Sequence, residues 1–175
     1  NDSVYNENDT FVYDSSGNNN NGLVINANFV NNGRFNGAYL FDSISDYVNV
    51  NDTGSLNITN DRVSIEAWFN STQFKSGIIV GESIGCTFPY FTYNLETRFT
   101  GAMAFQLATT TGRTALFATD DYLVNKWTHI VGVYNSTHMK LYINGKLNST
   151  VAKTGLINSS GNKFFLGKNN DCNDF

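Results

Sequence analysis

Residues 127–151 constrain the fold of this chain more than any other stretch. Their character alternates with period two: Trp127, His129, Val131 and Val133 share one face of a first run, and Met139, Leu141 and Ile143 share one face of a second. Asn135-Ser136-Thr137 and Asn144-Gly145 separate the runs, and residues 146–151 supply a third. The pattern predicts a three-stranded antiparallel meander. Asn144-Gly145 is its sharpest signal, because a two-residue type I′ turn needs positive φ at both central positions, which Asn and Gly adopt cheaply. The turn also pins the register. A slip of one residue would turn Leu141 and Ile143 out to water, and a slip of two would keep the faces but break the turn.

Short apolar runs of the same kind recur at 23–25, 38–41, 47–50, 63–69, 78–80, 90–93, 102–107, 114–118 and 163–167, bounded by Gly, Asn, Asp or Ser. Together with the meander they amount to about a dozen strands and no convincing helix, which describes an all-β antiparallel sandwich or jelly roll. Composition agrees: 14% of residues are aromatic, 15% are charged, and the single proline is Pro89. Residues 1–21 are polar and Asn-rich apart from an island at 11–13, and Asp14-Ser-Ser-Gly-Asn-Asn-Asn-Asn-Gly22 is dense in turn formers. We expect one domain over 1–175, with 1–10 as a polar N-terminal extension.

Several function classes lose support at this level. A net charge of -4 with no Lys/Arg cluster gives no footprint for nucleic acid. No run of about eighteen apolar residues is present to span a bilayer, and the N-terminus lacks the order of a signal peptide, so the chain reads as mature or excised. Gly-x-Ser-x-Gly and phosphate-cradling loops are absent. Glycosidase chemistry needs two carboxyls about 5 to 10 Å apart. Glu66 shares a strand face with Trp68, but the chain has only four glutamates and no second carboxylate lies two or four residues from Glu66. A structural Glu66 is the simpler reading.

Eight Asn-x-Ser/Thr sequons begin at Asn1, Asn8, Asn51, Asn57, Asn70, Asn135, Asn148 and Asn158. They are either glycosylation acceptors or a by-product of Asn-rich composition; Asn135 and Asn148 lie in or beside hairpin turns, where a glycan fits. Cys86 and Cys172 sit in no zinc-type context, and are either one long-range disulfide, stabilising by roughly 3 to 4 kcal/mol, or two separate thiols. His129 and His138 lie on neighbouring strands without a third metal ligand at recognisable spacing.

Seven segments in order then carry a resemblance. Asp14 to Gly22 as quoted, Gly33-Arg-Phe-Asn-Gly-Ala-Tyr-Leu-Phe-Asp42, Asp46-Tyr-Val-Asn-Val50, Val63-Ser-Ile-Glu-Ala-Trp68, Trp127-Thr-His-Ile-Val-Gly-Val-Tyr134, Leu141-Tyr-Ile-Asn-Gly-Lys146 and Phe165-Leu-Gly167 resemble the successive signatures of laminin-G-like domains of the concanavalin A-like superfamily. The resemblance covers 11–170. It implies a jelly roll of two stacked antiparallel sheets, used as an extracellular or cell- or virion-surface module for adhesion or glycan binding, often with structural calcium. Two departures stand out. Family members run on into a last strand beside an N-terminal one, whereas this sequence stops at Phe175; either it is cut short or another chain supplies the strand, leaving an open sheet edge for self-assembly. The segment 82–100 carries Phe88, Tyr90, Phe91 and Tyr93, which either bind a ligand or cover a sheet end.

Site expectations follow. Calcium takes about six to eight oxygens from loops, and Asp14, Asn18, Asp171 and Asp174 are the expected ligands, the resemblance implying that the first and last loops meet. Asp42 with Asp46 and the pair Asp120-Asp121 are further acidic candidates. Glycan recognition stacks aromatic rings on sugars and aims short polar groups at hydroxyls. His138, Lys140 and Tyr142, on the polar face of the central hairpin, are the expected platform, and Tyr90 and Tyr93 of the 82–100 segment are further ligand-binding candidates. Three functions remain: a non-catalytic module binding a glycan or an extracellular protein, a structural subunit of an extracellular or virion assembly, and a glycoside hydrolase or lyase, which the scarcity of Glu opposes.

Overall fold

The computed structural model describes residues 8–42, 45–50, 54–83, 91–158 and 163–168. They form strands and no helix: β1 (Phe11–Val12), β2 (Gly22–Ile25), β3 (Asn28–Gly33), β4 (Asn36–Leu40), β5 (Tyr47–Val50), β6 (Arg62–Phe69), β7 (Gly77–Ser83), β8 (Phe91–Thr97), β9 (Met103–Thr109), β10 (Gly112–Phe117), β11 (Thr128–Asn135), β12 (His138–Ile143), β13 (Lys146–Ala152) and β14 (Lys163–Leu166). Eight make one sheet in the order β1-β2-β5-β14-β7-β8-β9-β10, four make a second in the order β13-β12-β11-β6, and β3 and β4 form a hairpin of their own. Every pairing is antiparallel. The expected all-β jelly roll is the observed architecture.

The meander pairs as its alternation predicts. Ile130 lies opposite Ile143 and Tyr134 opposite Met139, which sets β11 and β12 in register across the turn at Asn135 to Thr137. Asn144 and Gly145 hold φ of 50° and 78° at the β12–β13 turn. The Asn144 side chain adds a function that its turn propensity does not reveal: Oδ1 accepts from His129 N at 2.9 Å while Asn144 N donates to His129 O at 2.9 Å. One irregularity departs from a plain ladder. Leu141 faces Ser149 but Tyr142 faces Leu147, so Asn148 is the extra residue of a bulge.

Alternation also decides the core. Ile130 and Tyr134 of β11, Met139 and Leu141 of β12, and Val63 and Ile65 of β6 meet Val80, Leu95, Phe105 and Leu107 of the larger sheet in one buried cluster. Each such side chain removed from water contributes roughly 1.5 to 3 kcal/mol. The sheets are in tight contact at Gly132, where an added Cβ would sit 2.5 Å from the ring of Phe105. A smaller cluster of Val24, Ala27, Val48 and Val50 fills the space under the β1 side.

Two elements escaped the sequence pattern. β3 is hidden by its asparagines, and β8 runs to Thr97 rather than stopping at 93, because Thr92, Asn94 and Glu96 interleave its apolar residues. Asn8 to Thr10, expected within a polar extension, are tied in: Thr10 O accepts from Val24 N at 2.8 Å and Asn8 Oδ1 from Thr10 N at 2.8 Å.

Candidate functional site

A strand buries one face and presents the other, so the chemistry of a sandwich is read from its outward residues. On the eight-stranded sheet the registers align one row of them across seven neighbouring strands. Leu23 pairs with Asn49, Asn49 with Phe165, Phe165 with Gly81, Gly81 with Asn94, Asn94 with Gln106 and Gln106 with Ala115. Leu23 at one end is 41% exposed and Ala115 at the other is exposed as well, while Asn94 in the middle is 2% exposed. Gly81 is obligatory in this row, because a Cβ there would fall 2.4 Å from that of Asn94.

Two acceptors in the row are left over. Asn49 Oδ1 and Asn94 Oδ1 are buried and make no hydrogen bond, and an orphaned buried amide oxygen costs about 1 to 3 kcal/mol. Between their strands stands Phe165, with the Tyr47 ring edge-on at 5.7 Å and Lys168 Nζ 4.3 Å from its centroid. Two residues along from Asn94, Glu96 is 1% exposed and its Oε1 lies 2.5 Å from Arg98 Nη2 in an ion pair. Burial raises the Glu96 pKa above its ordinary value; the Arg98 charge and a hydrogen bond from Gln106 oppose that rise. Glu82 lies opposite Tyr93 and so faces the core, which puts the two buried glutamates on opposite sides of the sheet. They do not form the carboxylate pair of a glycosidase.

The expected platform of His138, Lys140 and Tyr142 is found on one outward face, that of the four-stranded sheet, beside Val131 and Val133. Glu66 shares it, and the His129 ring stacks on Trp68 at 4.8 Å with Nε2 3.2 Å from Glu66 Oε2. His129 and His138 stand at opposite ends of the β11–β12 ladder. Tyr93 is a correction: it is 2% exposed in the core, its hydroxyl donating to Leu56 O at 2.7 Å, because it occupies an inward position of β8 together with Leu95. Tyr90 lies outside the described residues.

Asp14 organises its own loop. Its Oδ1 accepts from Ser16 N at 2.8 Å and its Oδ2 from Ser16 Oγ at 2.8 Å and Asn20 N at 2.9 Å; these bonds, led by Ser16, lower its pKa. The Asn18 side-chain amide donates to Ser16 Oγ at 3.0 Å, and the Asn18 backbone N–H adds to the bonds that lower the Asp14 pKa. Asp46 Oδ2 is taken in the same way by Asp42 N at 2.7 Å. Among the described residues no group of three or more His, Cys, Asp or Glu could hold a metal ion. Asp14 and Asn18 of the expected calcium set lie in this one loop, and Asp171, Asp174, Cys86 and Cys172 lie outside the described residues.

The sequons separate by geometry. Asn57, Asn70 and Asn135 are exposed. Asn148 is half-buried, its Oδ1 accepting from Thr119 N at 2.8 Å and its Nδ2 donating to Asp120 Oδ2 at 3.2 Å. Asn158 donates through Nδ2 to Thr109 O at 3.2 Å. Asn51 lies outside the described residues.

A cleft of about 1150 Å³ opens between the β3–β4 hairpin and β6 and reaches down to the eight-stranded sheet. Arg34 and Phe35, at the tip of the hairpin, reach across it to Trp68, at 4.8 Å and 5.7 Å from its ring.

Comparison with known proteins fits this layout. A sequence profile of the laminin G family, described as concanavalin A-like lectin/glucanases superfamily, matches residues 41–175. The chain belongs to that family. No curated protein matches the sequence. Among solved structures, domain 4 of an extracellular arabinanase from Geobacillus stearothermophilus, in complex with arabinotriose, is 15% identical with a TM-score of 0.68, over 93% of this chain and 85% of that one. The receptor-binding domain of botulinum neurotoxin type G is 19% identical with a TM-score of 0.65, over 93% of this chain and 41% of that one. The binding domain of serotype D is 21% identical with a TM-score of 0.62, over 89% and 40%. This laminin-G-type chain therefore spans about two fifths of the toxin domains it matches, and at these identities the likeness is one of fold.

The row on the eight-stranded sheet was not foreseen as a site. Gln106 and Phe165 lay within expected strands and Asn94 just beyond one, but only strand order brings them together.

Proposed function

We propose that this chain is a non-catalytic extracellular binding module whose ligand is a glycan, held across the row Asn49, Phe165, Gly81, Asn94 and Gln106. The observation that carries this reading is the pair of buried, unbonded amide oxygens in one cross-sheet row, on either side of an aromatic ring. A sugar supplies what that row lacks: hydroxyl donors for Asn49 Oδ1 and Asn94 Oδ1, and a C–H face for Phe165 and Tyr47. Gly81 lets Asn94 pack directly against the neighbouring strand in this row. The arabinotriose complex of a domain with the same fold adds support for a saccharide, and arabino-oligosaccharides are the first ligands to try. A place at a cell or virion surface belongs to the same proposal. Free cations and carboxylates contribute little to it.

Calorimetric titration with arabinotriose, together with a glycan array, tests the reading. Binding that is lost in Asn94→Leu and weakened in Asn49→Leu, with melting intact, is the expected result. A blank array and no heat from the unaltered chain would remove it. A second reading, a subunit of a surface assembly, is favoured by β6 ending the four-stranded sheet among the described residues, and a concentration series in analytical ultracentrifugation tests it: a monomer throughout would count against it.

A further inference from the structure

Four places in the chain carry the same dipeptide, Asn-Gly, at 21–22, 32–33, 36–37 and 144–145. The pair is reactive because glycine has no Cβ to shield its backbone nitrogen, which lies within reach of the carbonyl carbon in the preceding asparagine side chain. Identical sequence alone would make the four alike. The fold separates them. Asn144 Oδ1 accepts from His129 N at 2.9 Å, and Asn21 Oδ1 accepts from Asp14 N at 2.9 Å, so both amides are tied to a neighbouring segment and held off their own backbone. Asn32 and Asn36, at the tip of the β3–β4 hairpin, are exposed, and their side chains make no hydrogen bond among the described residues. Asn32 also stands in a bulge: Val30 lies opposite Ala38 and Gly33 opposite Asn36, which leaves Asn31 and Asn32 to face Gly37 alone. Gly37 N donates to Phe35 O at 3.1 Å, which holds back the nitrogen beside Asn36.

We propose that this hairpin tip is a self-modifying site, at which Asn32 and, more slowly, Asn36 are converted to acids while Asn21 and Asn144 are spared. The reaction needs only water. Gly33 N, having lost its proton to hydroxide, attacks the side-chain carbonyl carbon of Asn32. A C–N bond forms and closes a five-membered imide, the amide C–N bond breaks, and ammonia leaves with a proton from solvent. Water then opens the ring at either carbonyl, giving aspartate or isoaspartate. The position gives the product a consequence. Arg34 stands two residues from both asparagines, its guanidinium 4.8 Å from the Trp68 ring and 5.2 Å from that of Phe35, and among the described residues it makes no ion pair. Each conversion sets a carboxylate beside this cation, in competition with the aromatic faces that hold it. The contact that carries the hairpin across to β6 therefore loosens as the chain ages. This inference goes beyond glycan binding and does not rest on it.

The test ages the unaltered chain in mildly alkaline buffer, folded and in concentrated urea, and reads each asparagine by peptide mass spectrometry. Tryptic cleavage at Arg34 parts Asn32 from Asn36, and fragment ions part Asn21 from Asn32. In the folded chain, acid is expected to accumulate at Asn32 at least about tenfold faster than at Asn21 or Asn144, a ratio that a modest difference in barrier gives. In urea the four rates are expected to converge. Equal rates at Asn32 and Asn144 in the folded chain overturn the site, and so does a ratio that urea leaves unchanged. Asn32→Asp supplies the product at once and reads the consequence. Its tryptophan emission is expected to move in the same direction as that of Arg34→Gln, with Asn32→Ser unmoved. An Asn32→Asp spectrum matching that of Asn32→Ser overturns the loosening of Arg34. Arabinotriose titration of the row around Asn94 succeeds or fails independently of these outcomes.

Discussion

Asn94 and Gly132 show how far one side chain depends on its opposite number. Gly132 sits where Phe105, fully buried, presses against β11. Gly132→Ala is expected to cost about 2 to 3 kcal/mol by overpacking, read as a lower urea midpoint at unchanged slope. Asn94 is the reverse case, since its oxygen is unsatisfied in the fold. Replacing an orphaned amide with an apolar group of similar size leaves stability level or raises it by about 1 kcal/mol; Asn94→Leu is therefore expected to melt no lower while losing glycan binding. A residue retained only for structure would show lower melting. Glu96 supplies a pH dependence. Its folded pKa is raised, chiefly by burial, so between its unfolded and folded values the native state holds more protons than the unfolded one, and stability falls as pH rises through that window. Urea titrations from pH 4 to 8 should show Glu96→Gln gaining on the unaltered chain as pH climbs above the ordinary carboxylate range. A constant difference would contradict this.

At the scale of elements, the β11–β12–β13 meander was legible because period-two alternation and Asn144-Gly145 are local signals. Its bulge at Asn148 was not, because what fixes it is the loop at Thr119 and Asp120, which shares no sequence pattern with β13. The bulge has a measurable consequence. A glycan on Asn148 would displace both of its amide bonds, whereas Asn135 holds its turn through Oδ1 alone, accepting from His138 N at 2.9 Å. When the chain is secreted from a eukaryotic host, glycopeptide mass spectrometry should find Asn57, Asn70 and Asn135 occupied and Asn148 bare. Occupied Asn148 with unchanged melting would show that the bulge contacts are dispensable. β8 was cut short in the sequence reading for a related reason: Thr92, Asn94 and Glu96 break the apolar signal, yet they are buried in the fold, so polarity misreported their environment.

For the whole molecule, the loop at Asp14 bears on calcium. Asp14 already accepts three hydrogen bonds within its own loop, so chelation is expected to leave the melting temperature of the 175-residue chain unchanged within about 1 °C. A ligand bound only by the native state would move it by several degrees; such a fall would show that oxygens outside the described residues complete a site. Taken alone, the sequence determined most of the strands, their faces and their turns, and with these the all-β class, because these properties follow from the spacing of neighbouring residues; β3 and the end of β8 were the exceptions. The tertiary structure alone decided which strands became neighbours. β14 enters between β5 and β7, which sets Phe165 between Asn49 and Gly81 and makes a row from residues more than a hundred positions apart. Pairing at that distance is chosen by the burial of the whole apolar surface against loop-closure entropy, and no local pattern records its outcome.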